Sequence, residues 1–154
     1  MALSKRLSTI LELLEPCEVL ADIGTDHGFI PIEAVRRGLC RRAIACDVGR
    51  GPLERAAGHI AEAGLPDVIE TRLGDGLHPL ASGEADRIVI AGMGGPLMAR
   101  LLDECEETAA AAQSLILGPQ SELDTVRKWL TDRHAIRRER MAEEDGKYYY
   151  LIDF

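Results

Sequence analysis

The chain has 154 residues, 46% of them hydrophobic and 29% charged, with a formal net charge of -8. That is one domain's worth of ordinary globular composition, and its acidity argues against broad, nonspecific nucleic-acid binding. No apolar run approaches the roughly 18 residues of a membrane span, and Met1–Leu7 lacks the apolar block of a signal peptide, so the cytoplasm is the expected location.

Leu3, Leu7, Ile10, Leu11 and Leu14 recur with helical spacing and predict an amphipathic helix that stops before Pro16. A buried strand is expected from Cys17 to Ile23, then a helix from Phe29 to Arg37 ending at Gly38. Ala43–Asp47 is a second short apolar run ending in an acid. Pro52–Ala63 reads as a helix, with proline in its first turn and Gly64 beyond its end. Val68–Leu73 alternates like a strand and runs into Gly74-Asp75-Gly76. Ala85–Ala91 is a fourth strand, ending in Gly92-Met93-Gly94-Gly95, and Pro96 opens a helix expected to reach Ala110.

Ser114–Leu117 predicts a fifth strand, followed by a helix over Glu122–Asp132. His134–Met141 and Lys147–Phe154 are expected to form two strands joined at Asp145-Gly146, a hairpin signal. Alternating strands and helices imply an α/β fold: a mostly parallel sheet with helices on both faces and an antiparallel C-terminal hairpin, all in one domain over residues 1–154. Cys17, Cys40, Cys46 and Cys105 include no Cys-x-x-Cys pair and no histidine at ligand spacing, so reduced thiols and no metal are expected.

The chemistry concentrates where strands end. In Asp22-Ile23-Gly24-Thr25-Asp26-His27-Gly28, two carboxylates occupy places where a dinucleotide fingerprint carries glycine. Like charge there disfavours a pyrophosphate and favours S-adenosylmethionine, which carries an ammonium, a sulfonium and an adenosine but no phosphate. Gly24 and Thr25 bring backbone to the amino-acid portion, and Asp22 either attracts its ammonium or orients the turn. Asp47 is placed for the ribose hydroxyls, and Asp75, between Gly74 and Gly76, for the adenine amine. Gly92, Met93 and Gly94 remove bulk beside the cofactor, and Gly95 admits a flat substrate base.

Two residues are candidates for catalysis. His27 is a general-base candidate because its ordinary pKa lies near 6.5. Asp26 is at least as well suited, because a ring nitrogen of adenine attacks through a lone pair already present. A carboxylate bonded to the exocyclic amine would then stabilise the charge that develops. Lys5, Arg6 and the basic run that includes Arg133 and Arg137 are candidates for phosphate contacts.

Asp22-Ile23-Gly24-Thr25-Asp26-His27-Gly28-Phe29-Ile30-Pro31 resembles the first motif of the bacterial tRNA adenine-N1 methyltransferases of the TrmK type. Leu3–Leu7, Gly51–Ala56, Leu73–Leu77, Gly83–Asp86, Ile90–Gly95, Trp129-Leu130 and Glu143–Tyr149 extend the likeness over nearly the whole chain. The resemblance implies a Rossmann-like class I methyltransferase fold of seven strands that methylates N1 of adenine 22 in the tRNA D arm. Members of that family usually continue into a helical, coiled-coil-like C-terminal region that helps hold tRNA. The chain stops at Phe154, so that region is expected to be absent and tRNA affinity to be weak. A monomer or weak homodimer is expected. Aromatic content is only 4%, so stacking platforms for a flipped base are few. A small-molecule N- or O-methyltransferase, or a cofactor-binding module without catalysis, is also compatible with the residues alone.

Overall fold

The computed structural model describes residues 4–131, 138–144 and 147–153. Five parallel strands, β1 (Cys17–Ile23), β2 (Cys40–Asp47), β3 (Ile69–Leu73), β4 (Arg87–Met93) and β5 (Ser114–Pro119), are joined by an antiparallel pair, β6 (Arg138–Glu144) and β7 (Lys147–Asp153). The sheet order is β3-β2-β1-β4-β5-β7-β6. The expected parallel α/β sheet with an antiparallel C-terminal hairpin is therefore present. Strand order reverses between β1 and β4, and an open sheet of this kind binds ligands outside the strand ends at that point.

Side-chain alternation on the strands decides which helices cover which face. Leu20, Ala43, Ala45, Val89 and Ile116 face α1 (Lys5–Leu13), α2 (Phe29–Arg36) and α3 (Arg50–Glu62), through Ile10, Leu13, Ile30, Ile32 and Ile60. Ala21, Ile23, Ile44, Ile88, Ile90, Leu115 and Leu117 face the other way. They pack against α4 (Gly95–Glu104), α5 (Glu106–Ala111) and α6 (Leu123–Thr131), through Met98, Leu102, Ala109, Val126 and Leu130. Each face buries a continuous apolar layer, the dominant favourable term for a chain of this size. Ser4 starts α1 by accepting the Leu7 N–H at 3.2 Å, satisfying one of the donors left open at a helix start.

Several boundaries differ from expectation, β6 among them, which runs to Glu144 rather than Met141, and three of the differences have a clear local reason. β2 begins at Cys40 because Arg41 and Arg42, polar and exposed, still continue the ladder beside β1, with Cys17 opposite Cys40. β4 starts at Arg87, whose guanidinium is buried and donates to Ser114 Oγ. It also runs on through an irregularity between Ala91 and Met93, so Gly92 is a bulge within the strand, with φ of +83°. The helix expected from Pro96 to Ala110 breaks at Cys105, whose φ of -125° and ψ of 45° are not helical; α5 restarts there and buries Ala109.

All four cysteines are free. Burial pushes the thiols of Cys17, Cys40 and Cys46 up to about 11, 12 and 12, so they remain protonated packing residues at neutral pH. No helix of the described residues is long and apolar enough to cross a membrane. Among the described residues no group of three or more His, Cys, Asp or Glu side chains could hold a metal ion.

Candidate active site at the carboxyl ends of the sheet

The turn after β1 is held by backbone and carboxylate together. Gly24 N–H and Thr25 N–H both donate to the Cys46 carbonyl at 2.9 Å, tying the turn to the end of β2. Gly24 takes φ of +74°, the left-handed region that favours glycine, and leaves bare backbone at the rim. Asp26 also lies in that region, at φ +56°, a conformation that Asp tolerates better than most residues. It is held there from two sides. Its N–H donates to Asp47 Oδ2 at 3.1 Å, and its Oδ1 accepts from Arg55 Nη2 at 3.0 Å.

Asp47 thus pins two loops, because its Oδ1 also accepts the Gly49 N–H at 3.0 Å. Each of its oxygens keeps a second lone pair for a ligand hydroxyl. Its backbone carbonyl takes the Gly74 N–H at 2.9 Å, which brings Gly74-Asp75-Gly76 alongside. A cavity of about 70 Å³ opens among Asp47, Val48, Gly74, Asp75, Gly76, Met93, Leu97 and Leu101, with Gly24 on its wall. Val48 and Leu97 are 70% and 41% exposed. Two open aliphatic faces beside a carboxylate suit a flat base with an exocyclic amine.

A larger cavity of about 220 Å³ lies over the β1–β4 reversal point. Asp22, Gly24, Thr25, Asp26 and His27 line it from the β1 side, and Ala91, Gly92 and Gln120 from β4 and β5. Arg6, on α1, reaches into it; a Cβ built on Gly92 would lie 3.2 Å from the Arg6 guanidinium. Asp22 is buried, and burial pushes its carboxyl up to about 7; the Thr25 hydroxyl opposes that rise, the Asp47 carboxylate adds to it, and Arg6 opposes it. His27 Nε2 lies 3.4 Å from Asp26 Oδ2, while its buried Nδ1 has no partner. Those neighbours assign the ring proton to Nε2 in the neutral form.

Nearly all the residues singled out in the sequence therefore meet around two adjoining cavities: Asp22, Gly24, Thr25, Asp26, His27, Gly92 and Arg6 at one, and Asp47, Gly74, Asp75, Gly76 and Met93 at the other. Gly94 and Gly95 line neither. Gly95 is buried, and a Cβ there would strike the backbone carbonyls of Ser121 and Glu122, so the β5–α6 loop accounts for its missing side chain. Gly94 likewise faces Ser121, whose Oγ would lie 3.0 Å from an added Cβ. Lys5 is exposed on α1, outside both cavities. Arg133 and Arg137 fall outside the described residues.

Sequence reading missed Val48, Leu97, Gln120, Arg55 and Phe29. Val48 carried a faint signal, an aliphatic residue directly after a strand-ending acid. Phe29 and Leu97 lie close in sequence to residues that were singled out, whereas Gln120 and Arg55 are brought in by tertiary packing.

Residues 3–152 match the family model described as a methyltransferase domain. The chain is 40% identical over 151 residues to the tRNA (adenine(22)-N(1))-methyltransferase of Bacillus subtilis (strain 168), covering 97% of this chain and 63% of that relative. The crystal structure of the B. subtilis protein superposes with a TM-score of 0.93 over 99% of this chain and 65% of the other. The Sp1610 protein of Streptococcus pneumoniae, solved with S-adenosyl-L-methionine, is 38% identical with a TM-score of 0.94, over 99% of this chain and 72% of that one. TrmK of M. capricolum, solved with S-adenosyl-homocysteine, is 28% identical with a TM-score of 0.90, over 99% and 68%.

Proposed function

Because the chain belongs to the methyltransferase-domain family, we propose that it moves a methyl group from S-adenosylmethionine to N1 of an adenine in tRNA, at the position 22 named for its B. subtilis relative. One observation carries this reading: the acids Asp22, Asp47 and Asp75 converge with bare Gly24 on one strand-end rim, in a chain 40% identical to that enzyme. The chain spans 63% of that relative's length.

The residues fit the cofactor's chemistry. Val48 and Leu97 offer apolar faces to adenine and Asp75 accepts from its amine, while the spare lone pairs of Asp47 take the ribose hydroxyls. Asp22 answers the ammonium, beside Gly24 and Thr25. Gly24 and Gly92 leave bare backbone at this rim, and Gly74, Gly76 and Met93 wall the smaller cavity. A pyrophosphate would meet three carboxylates instead.

When bound, S-adenosylmethionine supplies an electrophilic methyl on a sulfonium. The N1–carbon bond forms as the carbon–sulfur bond breaks, and that electron pair stays on sulfur. Adenine N1 attacks through an existing lone pair, so the chain's task is to place the ring and answer the positive charge that develops. Asp26, on the open side of the larger cavity, accepts a hydrogen bond from the adenine amine as that amine becomes acidic. His27 and Arg55 hold the Asp26 carboxylate in place from either side. Arg6 guards the β4 side of the cavity, and Lys5, Arg133 and Arg137 meet tRNA phosphates.

Transfer of tritium from methyl-labelled S-adenosylmethionine to unmodified tRNA tests this reading. Label should enter tRNA and vanish when adenine 22 is replaced by guanine. Label confined to small molecules, or cofactor binding without any transfer, would overturn it.

A further inference from the structure

Phe29 lines two cavities at once, the larger active-site cavity and a groove of about 290 Å³ between α2 and α3. Its ring is stacked with His27, centroids 5.1 Å apart and planes 11° apart, and with His59, also at 5.1 Å. The His27 and His59 centroids are 5.8 Å apart, so three flat rings cluster where the two cavities meet. His59 is further fixed by its Nδ1, which lies 2.7 Å from the His27 carbonyl oxygen. A carbonyl only accepts, so the proton is on Nδ1 and the neutral ring keeps an acceptor at Nε2. The groove's charges do not call for a phosphate. Glu33 is held by Arg36 and Arg37, each at 3.3 Å, and Glu62 adds a further acid.

We propose that this groove takes the base of a nucleotide next to the target adenine, stacked on the Phe29–His59 rings. The inference rests on the tRNA methyltransferase reading and adds a second base subsite to it. RNA-binding proteins read unpaired nucleotides by splaying bases onto flat side chains, and stacking tolerates many base identities. The shared Phe29 ring makes the two cavities neighbours, as adjacent nucleotides of one strand require. In a chain this poor in aromatic residues, histidines supply part of the platform. His59 Nε2 adds an acceptor for a base's exocyclic amine.

The test is steady-state methylation by wild type, His59→Ala, His59→Asn and His59→Phe. Substrates are unmodified tRNA and tRNAs with an abasic residue on the 5′ or the 3′ side of the target adenine. His59→Ala and His59→Asn should raise KM for tRNA about tenfold, leaving kcat and S-adenosylhomocysteine affinity in place. His59→Phe, which keeps a ring, should retain most of the wild-type KM. Wild type should lose the same factor on one of the abasic tRNAs, and on that tRNA His59→Ala should lose nothing more. A wild-type KM in His59→Asn, whose amide can still donate to the His27 carbonyl, would overturn the proposal, because the ring would then serve only to hold that loop. A penalty that persists on both abasic tRNAs would overturn it too. If wild type binds cofactor but methylates no tRNA, the functional reading itself fails; normal methylation with an unmoved KM sinks only the second subsite.

Discussion

The two cavities that meet at Gly24 are built on different principles. The smaller one is a slot walled by Val48, Met93, Leu97 and Leu101 and by the Gly74–Gly76 turn, with Asp47 and Asp75 as its polar points. The larger one is a charged basin, where Asp22, Asp26, His27 and Arg6 surround open space. In the proposed reading, burial of a flat ring drives affinity in the first, and placed charge decides the chemistry in the second. Asp47 joins them, because the carboxylate that faces the slot also holds the Asp26 backbone in the basin.

Asp47→Ala is therefore expected to have the largest effect. It removes the proposed ribose acceptor and the partner of two backbone N–H groups, of Asp26 and Gly49. Hydrogen bonds to a charged group contribute on the order of 1.5–3 kcal/mol each, so S-adenosylhomocysteine affinity should fall at least about a hundredfold by calorimetric titration. A loss smaller than about tenfold would detach the slot from the ribose and break the proposed division of labour.

Gly24→Ala comes next. At φ +74° an added Cβ meets only ordinary contacts, Met93 Cε at 3.5 Å being the nearest, so the cost is backbone strain. That strain is about 1–2 kcal/mol, and because Gly24 borders both cavities it should weaken cofactor binding and tRNA turnover alike, each roughly tenfold. An effect on one alone would place the boundary between the cavities elsewhere.

The slot was more legible in the sequence than the basin. Asp47 ends an apolar run and Gly74-Asp75-Gly76 follows an alternating one, and a strand pattern ending in an acid or glycine is visible without a structure. Half of the basin is local as well, because Asp22 to His27 are consecutive. Arg6, Gln120 and Arg55 come from α1, the end of β5 and α3, and no spacing rule links them to that loop. The glycine ledge shows the limit most clearly. Gly92, Gly94 and Gly95 look alike in sequence, yet Gly92 is a bulge at the cavity while Gly95 makes room for the Ser121–Glu122 backbone. What lies across from a glycine is set by non-local packing. The β2 boundary failed for a related reason, since Arg41 and Arg42 are exposed on a strand whose remainder is buried.

Within the basin, Asp26→Asn separates chemistry from binding. Asparagine tolerates the left-handed backbone at this position, so the turn should survive. A neutral amide would weaken the proposed charge-assisted bond to the adenine amine by roughly half its strength. Turnover should fall about tenfold with S-adenosylhomocysteine affinity unmoved. Wild-type turnover with unmoved affinity would remove Asp26 from the reaction and leave His27 as the remaining candidate.

The smallest expected effect is a pH dependence centred on Asp22. Burial foremost lifts its carboxyl from 3.8 to about 7, so the folded chain holds a proton that the unfolded chain has already released between those values. Stability from this group is thus present at low pH and lost as pH rises from about 4 through about 7. Asp22→Asn cannot ionise, and its melting temperature should overtake that of wild type by a few degrees toward pH 8, with the gap closing near pH 4. Ligand binding runs the opposite way. An ammonium group prefers the ionised carboxylate, so S-adenosylhomocysteine affinity of the wild type should climb a few-fold between about pH 6 and pH 8, and the Asn variant should lose that slope. A slope that survives in Asp22→Asn would assign the ammonium to another acid on the rim and leave Asp22 to orient the turn.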